Sequence, residues 1–459
     1  MTLGTKIACS VAGLACALAA ANALAAPAEA RPPIVFILAD DLGYGDLGCY
    51  GRADVRTPTL DRLAAEGVRF TQCYANGPEC TPTRAGFITG RYPQRVGGLE
   101  CAIGTGNVGR YDDAERLRET HDLGLPVEEV SIARMIRQAG YATALCGKWH
   151  LGYEPKFSPN RHGFDHALYC IGGGMDYFHH VEPGGLQALY LNGEPVRREG
   201  YFTDLVTDEA IRFIEAHAQQ PFFVYLAYTV PHSPFQGPQD RSGSPLPAES
   251  PLWDQGRAPP GVYVAMIEHM DRCIGRLLQA LERRELAQKT LVVFMSDNGG
   301  TASGRNAPFS GNKGGTFEGG IRVPAIARWP GRIPRARVSE QVCITMDFSA
   351  SIVRAAGARP PADRPLDGID VLQRVESDLP PLPRTLFWRQ RRGPQTWWGV
   401  RDESLKYVQR ADGKTVLAHL FDLAADPAEK TDLLAARPAD AARLRKLLAD
   451  WEREVQPKR

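Results

Sequence analysis

The sequence predicts an α/β fold: a large mixed β-sheet sandwiched by helices, with a smaller C-terminal α+β subdomain. Three observations carry this. Apolar, β-rich runs recur at residues 34–38, 221–228, 290–295 and 323–329, and the first is continuous rather than alternating, as in a strand buried on both faces. Segments with helical character lie between these runs up to about residue 357, the alternation expected of helices laid against a sheet. A Pro-rich stretch over 360–384 then breaks the pattern, and short strand-like segments and a closing helix follow it.

Taken in order, the 34–38 run ends on Asp40-Asp41 and the turn-rich Leu42-Gly43-Tyr44-Gly45-Asp46. Two carboxylates at the C-terminal end of a core strand are unfavourable unless positive charge meets them. Ligand sites of open α/β sheets lie at such strand ends; a helix N-cap using one Asp is the competing reading. A short helix is expected over 61–67, stopped by Gly67. Cys80-Thr81-Pro82-Thr83-Arg84 then opens a helix, with Pro82 in the first turn and Gly90 as its stop. Residues 97–124 are Gly-rich and charged and are expected to form active-site loops. In the helix predicted over 131–140, Ile132, Met135, Ile136 and Ala139 share a face before Gly140. The strand after it, 141–145, delivers Gly147-Lys148-Trp149-His150.

Residues 153–200, rich in Gly, His and aromatics, suit a pocket wall. A helix over 203–218 leads to the 221–228 strand, which ends in Val230-Pro231-His232, and 236–260 is a Pro/Ser-rich surface loop. A long amphipathic helix covers 262–284, with Met266, Met270, Ile274, Leu277 and Leu281 on its apolar side; these Met residues are core packing. The 290–295 strand ends on Ser296-Asp297-Asn298-Gly299-Gly300, and a Gly-rich loop with Lys313 and Glu318 follows. A helix over 347–357 precedes the Pro-rich break. Beyond it come strands near 385–388, 397–401 and 405–408 and a helix over 438–454. This divides the mature chain into a catalytic domain, 31–365, and a C-terminal subdomain, 366–459.

The chain's 54 basic and 53 acidic residues nearly cancel, which argues against a nucleic-acid partner or a polybasic membrane surface. Residues 1–25 have the form of a signal peptide: Lys6, an apolar run over 7–20, and Ala23-Leu24-Ala25 before the cleavage site. No later stretch is long and apolar enough to span a bilayer, so a periplasmic or secreted protein without stable membrane insertion is expected. Ten cysteines include Cys9 and Cys16 in the leader; export permits disulfides, but spacing does not give their pairing. The absence of any C-x-x-C pair argues against a structural zinc site.

Four strand ends thus carry polar chemistry: Asp40-Asp41, Lys148 with His150, His232, and Asp297-Asn298. Each alone has an ordinary reading as cap, surface lysine, satisfied histidine or turn. Together, on one rim of one sheet, they form a site. Three carboxylates and an amide oxygen make a hard, all-oxygen donor set that suits Ca²⁺, with Mg²⁺ as the alternative. Cys80 at a helix N-terminus meets partial positive charge, and Arg84 adds a planar fork of donors suited to a tetrahedral oxyanion.

The run Cys80-Thr81-Pro82-Thr83-Arg84 with Thr89-Gly90-Arg91 resembles the signature of type I sulfatases, members of the alkaline phosphatase superfamily, in which the Cys of C-x-P-x-R is oxidised to Cα-formylglycine. Thr83 stands where Ser is commoner and keeps the hydroxyl. Ala39 to Asp46 resembles that family's first metal motif, Gly140 to Gly152 its second long signature, Ser296 to Gly299 its second metal motif, and Leu420 to Pro427 its C-terminal subdomain. The resemblance implies an arylsulfatase-like enzyme in which Asp40, Asp41, Asp297 and Asn298 bind Ca²⁺, with the formylglycine made from Cys80 completing the shell. It further implies that Arg84 stabilises the aldehyde hydrate, Lys148 and Lys313 hold sulfate oxygens, His150 bonds the gem-diol, and His232 bonds the sulfate near the leaving oxygen. One hydroxyl of the hydrate attacks sulfur and displaces the alcohol; the other then expels sulfate and restores the aldehyde. The partners implied are a small-molecule or glycan sulfate ester and a formylglycine-generating maturation enzyme. The rival readings are a phosphonate or phosphate ester hydrolase of the same superfamily and a non-catalytic sulfoglycan-binding protein.

Overall fold

Every residue of the strand Ile34–Ala39 is buried, because both faces of the sheet around it are covered. In this computed structural model, which describes residues 31–104, 111–254 and 256–457, that strand is central to a ten-stranded sheet. It pairs in parallel with Phe222–Ala227 on one side and Leu291–Ser296 on the other. Ala142–Lys148 and then His166–Cys170 extend the parallel run. Ala325–Arg328 joins antiparallel to Leu291–Ser296, which makes the sheet mixed, as expected. All five parallel strands therefore end on one rim, where Asp40, Lys148 and Asp297 follow or close their strands. The signal peptide expected over 1–25 lies outside the described residues, and among these no helix is long and apolar enough to cross a membrane.

Alternating side chains sort into two cores. Ile34, Phe36 and Leu38 face Ala85, Phe87 and Ile88, and the Phe36 and Phe87 rings stack 3.8 Å apart. Val35 and Ile37 face the other layer, built from Phe202–Ala216, Val262–Arg283 and Pro58–Ala65. The helix Cys80–Thr89 is buried over its whole length, and Gly90 ends it in the left-handed conformation. Ser349 Oγ, on the helix Thr345–Ala355, bonds the Phe87 carbonyl at 2.7 Å.

Some boundaries differ from the sequence expectation. The helix expected over 61–67 starts at Pro58, which serves as its first residue, and Gly67 instead permits a close strand contact: a Cβ there would stand 2.1 Å from the Ala327 carbonyl oxygen. The 141–145 strand runs on to Lys148. The segment 153–200, read as pocket wall, also supplies the sheet strand His166–Cys170. The loops over 97–124 include the helix Asp112–Glu119, while 105–110 lie outside the described residues.

After the Pro-rich stretch, Thr385–Arg392, Gln395–Asp402, Leu405–Asp412 and Thr415–Asp422 form a four-stranded antiparallel sheet. The helix Pro438–Glu454 covers it. Trp388 Nε1 donates to the Ala75 carbonyl at 2.8 Å, and Arg389 grips both oxygens of Glu100 at 2.7 Å. Those contacts fix the small sheet beside the Cys80 helix.

Candidate active site

Ten residues singled out from the sequence meet on the strand-end rim. Asp40 and Asp41 follow the central strand, Asp297 and Asn298 follow Leu291–Ser296, and all four are at most 1% exposed. Asp41 and His150 have φ of 65° and 57°. A left-handed backbone at a non-glycine residue costs roughly 1–2 kcal/mol and is concentrated at functional sites.

Each carboxylate meets a cation. Lys148 Nζ lies 2.6 Å from Asp40 Oδ2, Arg84 NH2 lies 2.8 Å from Asp297 Oδ2, and Lys313 Nζ lies 2.8 Å from Asp41 Oδ1. Burial opposes the charge on Lys148, but Asp40 and then Cys80 outweigh it, and its pKa is raised. Burial would likewise raise Asp41; Lys313 and His232 overcome that and hold the carboxyl down at about 2. Asp40 differs: burial, with Asp297 and Cys80 beside it, outweighs Lys148 and holds its carboxyl well above the usual carboxylate range.

Cys80 is the first residue of its helix, and its Sγ lies 3.3 Å from Asp40 Oδ1. Thr83 Oγ1 reaches back to both the N–H and the carbonyl of Gly77, each at 3.1 Å, so its hydroxyl clamps the loop that leads into the helix. Thr81 Oγ1 donates to the carbonyl of His150 at 3.1 Å, which ties the Cys80 turn to the Lys148 strand end.

Both histidines have one ring nitrogen on a carbonyl. His150 Nε2 sits 2.5 Å from the Ile103 oxygen, which places its proton there and leaves Nδ1, buried and without a hydrogen-bond partner, as an acceptor. Burial, reinforced by Lys148, drives its pKa well below the usual value, so the ring is neutral. His232 Nδ1 sits 2.5 Å from the Ser233 oxygen, and its Nε2 lies 3.7 Å from Asp41 Oδ2. Burial and then Lys313 lower the pKa of this ring too.

The donor set fits a hard dication. Asn298 Nδ2 donates to Asp41 Oδ1 at 2.7 Å, while its Oδ1 is buried with no partner, the atom a metal ion would take. Single ligand atoms of Asp40, Asp41, Cys80 and His232 all lie within 4.8 Å of one another.

A cavity of about 460 Å³ opens over Cys80, His150, His232 and Lys313. Its outer wall includes Tyr153, Glu182, Trp253, Asp254 and Arg392. These five were not singled out from the sequence: they come from distant segments, and only the expectation that 153–200 forms a pocket wall pointed near Tyr153 and Glu182, while Trp253 and Asp254 lie on the stretch expected as a surface loop. Nothing in the sequence pointed to Arg392, which the C-terminal sheet delivers.

A family model described as Sulfatase matches residues 32–358. The chain is 36% identical over 378 residues to N-acetylgalactosamine-6-sulfatase of Canis lupus familiaris, covering 77% of this chain and 68% of that protein. It is 34% identical over 444 residues to steryl-sulfatase of Mus musculus, covering 79% and 68%. Among solved structures it resembles Ps i-CgsB in complex with k-i-k-neocarrahexaose, with a TM-score of 0.78, 28% identity, and coverage of 93% of this chain and 94% of that one.

Proposed function

The chain belongs to the sulfatase family, and from that premise we propose that it is an exported hydrolase of glycan sulfate esters that works through formylglycine at position 80 and a bound Ca²⁺. The observation that carries this reading is the meeting of Asp40, Asp41, Asp297 and Asn298 with Cys80, under three cations. Asp40, Asp41, Asp297 and Asn298 would hold the metal, with Mg²⁺ the alternative ion. Formylglycine supplies a hydrated aldehyde with two hydroxyls, and the metal supplies positive charge beside it.

The protein's own groups do the rest. Lys148 and Lys313, paired here with Asp40 and Asp41, would be free to bind the oxygens of a sulfate in the cavity once those carboxylates held a dication. Arg84, fixed by the Lys148 carbonyl and Asp297, orients position 80. His150 accepts a proton at Nδ1 from the hydrate. His232 bonds the sulfate beside the leaving oxygen through Nε2, because its Nδ1 is engaged by the Ser233 carbonyl.

The cavity wall favours a sugar over a sterol. Glu182, Asp254 and Arg392 stand beside Tyr153 and Trp253, the mixture of polar groups and aromatic faces that a hydroxylated ring needs. The relatives named for N-acetylgalactosamine-6-sulfatase and the neighbour bound to a neocarrahexaose point the same way. We take 31–365 as the catalytic domain, 366–459 as a subdomain that supplies Arg392, 1–25 as the export signal, and a formylglycine-generating enzyme as the maturation partner. The test compares 4-nitrophenyl sulfate with 4-nitrophenyl phosphate, using protein co-produced with that enzyme. Faster sulfate hydrolysis is expected; a much faster phosphate reaction would overturn the reading in favour of a phosphoester hydrolase, and tight sulfoglycan binding without turnover in favour of a binding protein.

A further inference from the structure

Beside the cavity over Cys80 lies a second one, of about 240 Å³, and the two share Lys313 and Arg392. Its walls come from three places in the chain: Glu79 before the nucleophile helix, Thr301 near the Lys313 loop, and Gln390, Arg392 and Trp397 from the first hairpin of the C-terminal sheet. Two polar atoms in these walls are buried without a partner. They are Gln390 Oε1, in a residue 1% exposed, and Thr301 Oγ1, in a residue 7% exposed. Buried polar atoms in a folded protein are normally satisfied, and unmet ones facing a cavity mark where a ligand bonds.

Charge decides what kind of ligand. The Arg392 guanidinium is already gripped by both oxygens of Glu79, through Nε at 3.0 Å and NH2 at 3.1 Å, and Glu79 is 3% exposed. A second sulfate or a carboxylate would meet a cation whose charge is spent. Lys313, the other cation in this wall, is paired with Asp41 and faces the sulfate of the first ring in the reading above; what remains are neutral donors and acceptors and the Trp397 indole. That indole is a fixed platform: Phe317 packs edge-on at 5.9 Å, and the Arg410 guanidinium lies 5.5 Å from the ring centroid. An aromatic face beside neutral hydrogen-bonding groups suits an uncharged sugar ring.

We propose that this second chamber is a subsite for an uncharged sugar ring adjoining the sulfate-bearing one, so that the preferred substrate is at least a disaccharide. The proposal rests on the sulfate-ester reading above and extends it. Gln390 accepts a hydroxyl of the second ring at Oε1, Thr301 bonds another, and Trp397 packs against the ring's C–H face.

The test uses galactose 6-sulfate and N-acetylgalactosamine 6-sulfate, each alone and extended by one galactose. For at least one pair, kcat/KM is expected to rise about tenfold or more on extension, through KM. Trp397→Ala and Gln390→Leu are expected to bring that ratio close to one. A merely structural role would lower both members of a pair together and leave the ratio intact. Ratios near one in the wild type, or an unchanged ratio in both variants, would overturn the subsite. Calorimetry on Cys80→Ala protein with the same sugars reads the subsite without turnover, and there too extension must tighten binding about tenfold unless Trp397 is replaced. Failure of the matured enzyme to hydrolyse 4-nitrophenyl sulfate sinks the sulfate-ester reading instead, and calorimetry still decides the subsite.

Discussion

Replacing Lys406 with Met puts the seam between the two sheets under its sharpest test. Lys406 Nζ lies 2.7 Å from Glu318 Oε1 and 2.9 Å from Glu429 Oε1, and all three side chains are fully buried. Glu318 keeps other support when the lysine goes: Tyr74 Oη at 2.7 Å and Arg322 NH1 at 3.1 Å both reach its Oε2. Among the described residues Glu429 meets no second cation; its Oε2 accepts the Glu318 N–H at 2.6 Å. Removing one partner from a buried ion pair costs about 3–5 kcal/mol, because a buried charge is left uncompensated. Glu429 can escape by taking up a proton, since burial, with Glu318 nearby, already pushes it up to about 7 despite Lys406. The loss in urea denaturation at pH 7.5 should therefore fall at the lower end, about 3 kcal/mol. Adding Glu429→Gln to Lys406→Met should recover most of it. A loss below about 1 kcal/mol, or no recovery in the double variant, would show that Lys406 does not hold Glu429 charged in this seam. Ser310 Oγ bonds the Ala428 carbonyl at 2.5 Å in the same seam, so the Lys313 loop loosens with it and sulfatase activity falls below the melting temperature as well.

Three further outcomes follow from the same contacts. Because the folded protein holds the Glu429 proton more tightly than an unfolded chain does, that contribution is complete below about pH 4 and disappears as pH rises through about 7; Glu429→Gln should flatten the stability profile across that window, as read by urea midpoints. Gly147 has φ of 124°, and a Cβ there would stand 1.8 Å from the Ala227 carbonyl oxygen. Gly147→Ala should therefore break the pairing that delivers Lys148, costing about 4 kcal/mol or more, and soluble wild-type-like expression would contradict this. Dialysis against EGTA should lower aryl sulfatase activity at least tenfold, with Ca²⁺ restoring more than Mg²⁺; full activity after exhaustive chelation would remove the metal from the account.

The core strands and the site were legible in the sequence for one reason: both depend on local runs. Residues 34–38 are continuously apolar because helices cover both faces, and the polar pairs after such runs reach the rim by strand direction alone. The helix over Pro438–Glu454 was readable to the residue, with Pro438 marking its first turn. What escaped depends on distant partners. His166–Cys170 is a strand because Ala142–Lys148 pairs with it, inside a segment whose glycines, histidines and aromatics read as pocket wall. The C-terminal strands run eight residues each, with mutual pairing extending them past their apolar centres, and Thr415–Asp422 carries an exposed first half that hides it. Arg392 and Trp397 reach the two cavities only because Trp388 and Arg389 dock that sheet beside Ala75 and Glu100.

The most direct measurement is mass spectrometry of the tryptic peptide running from Phe70 to Arg84, taken from protein made in the native host. An aldehyde or its hydrate is expected at position 80, with Cys73 in the same peptide left unoxidised to aldehyde. An intact Cys80 thiol that persists after co-expression with a formylglycine-generating enzyme, in protein that still hydrolyses sulfate esters, would contradict it.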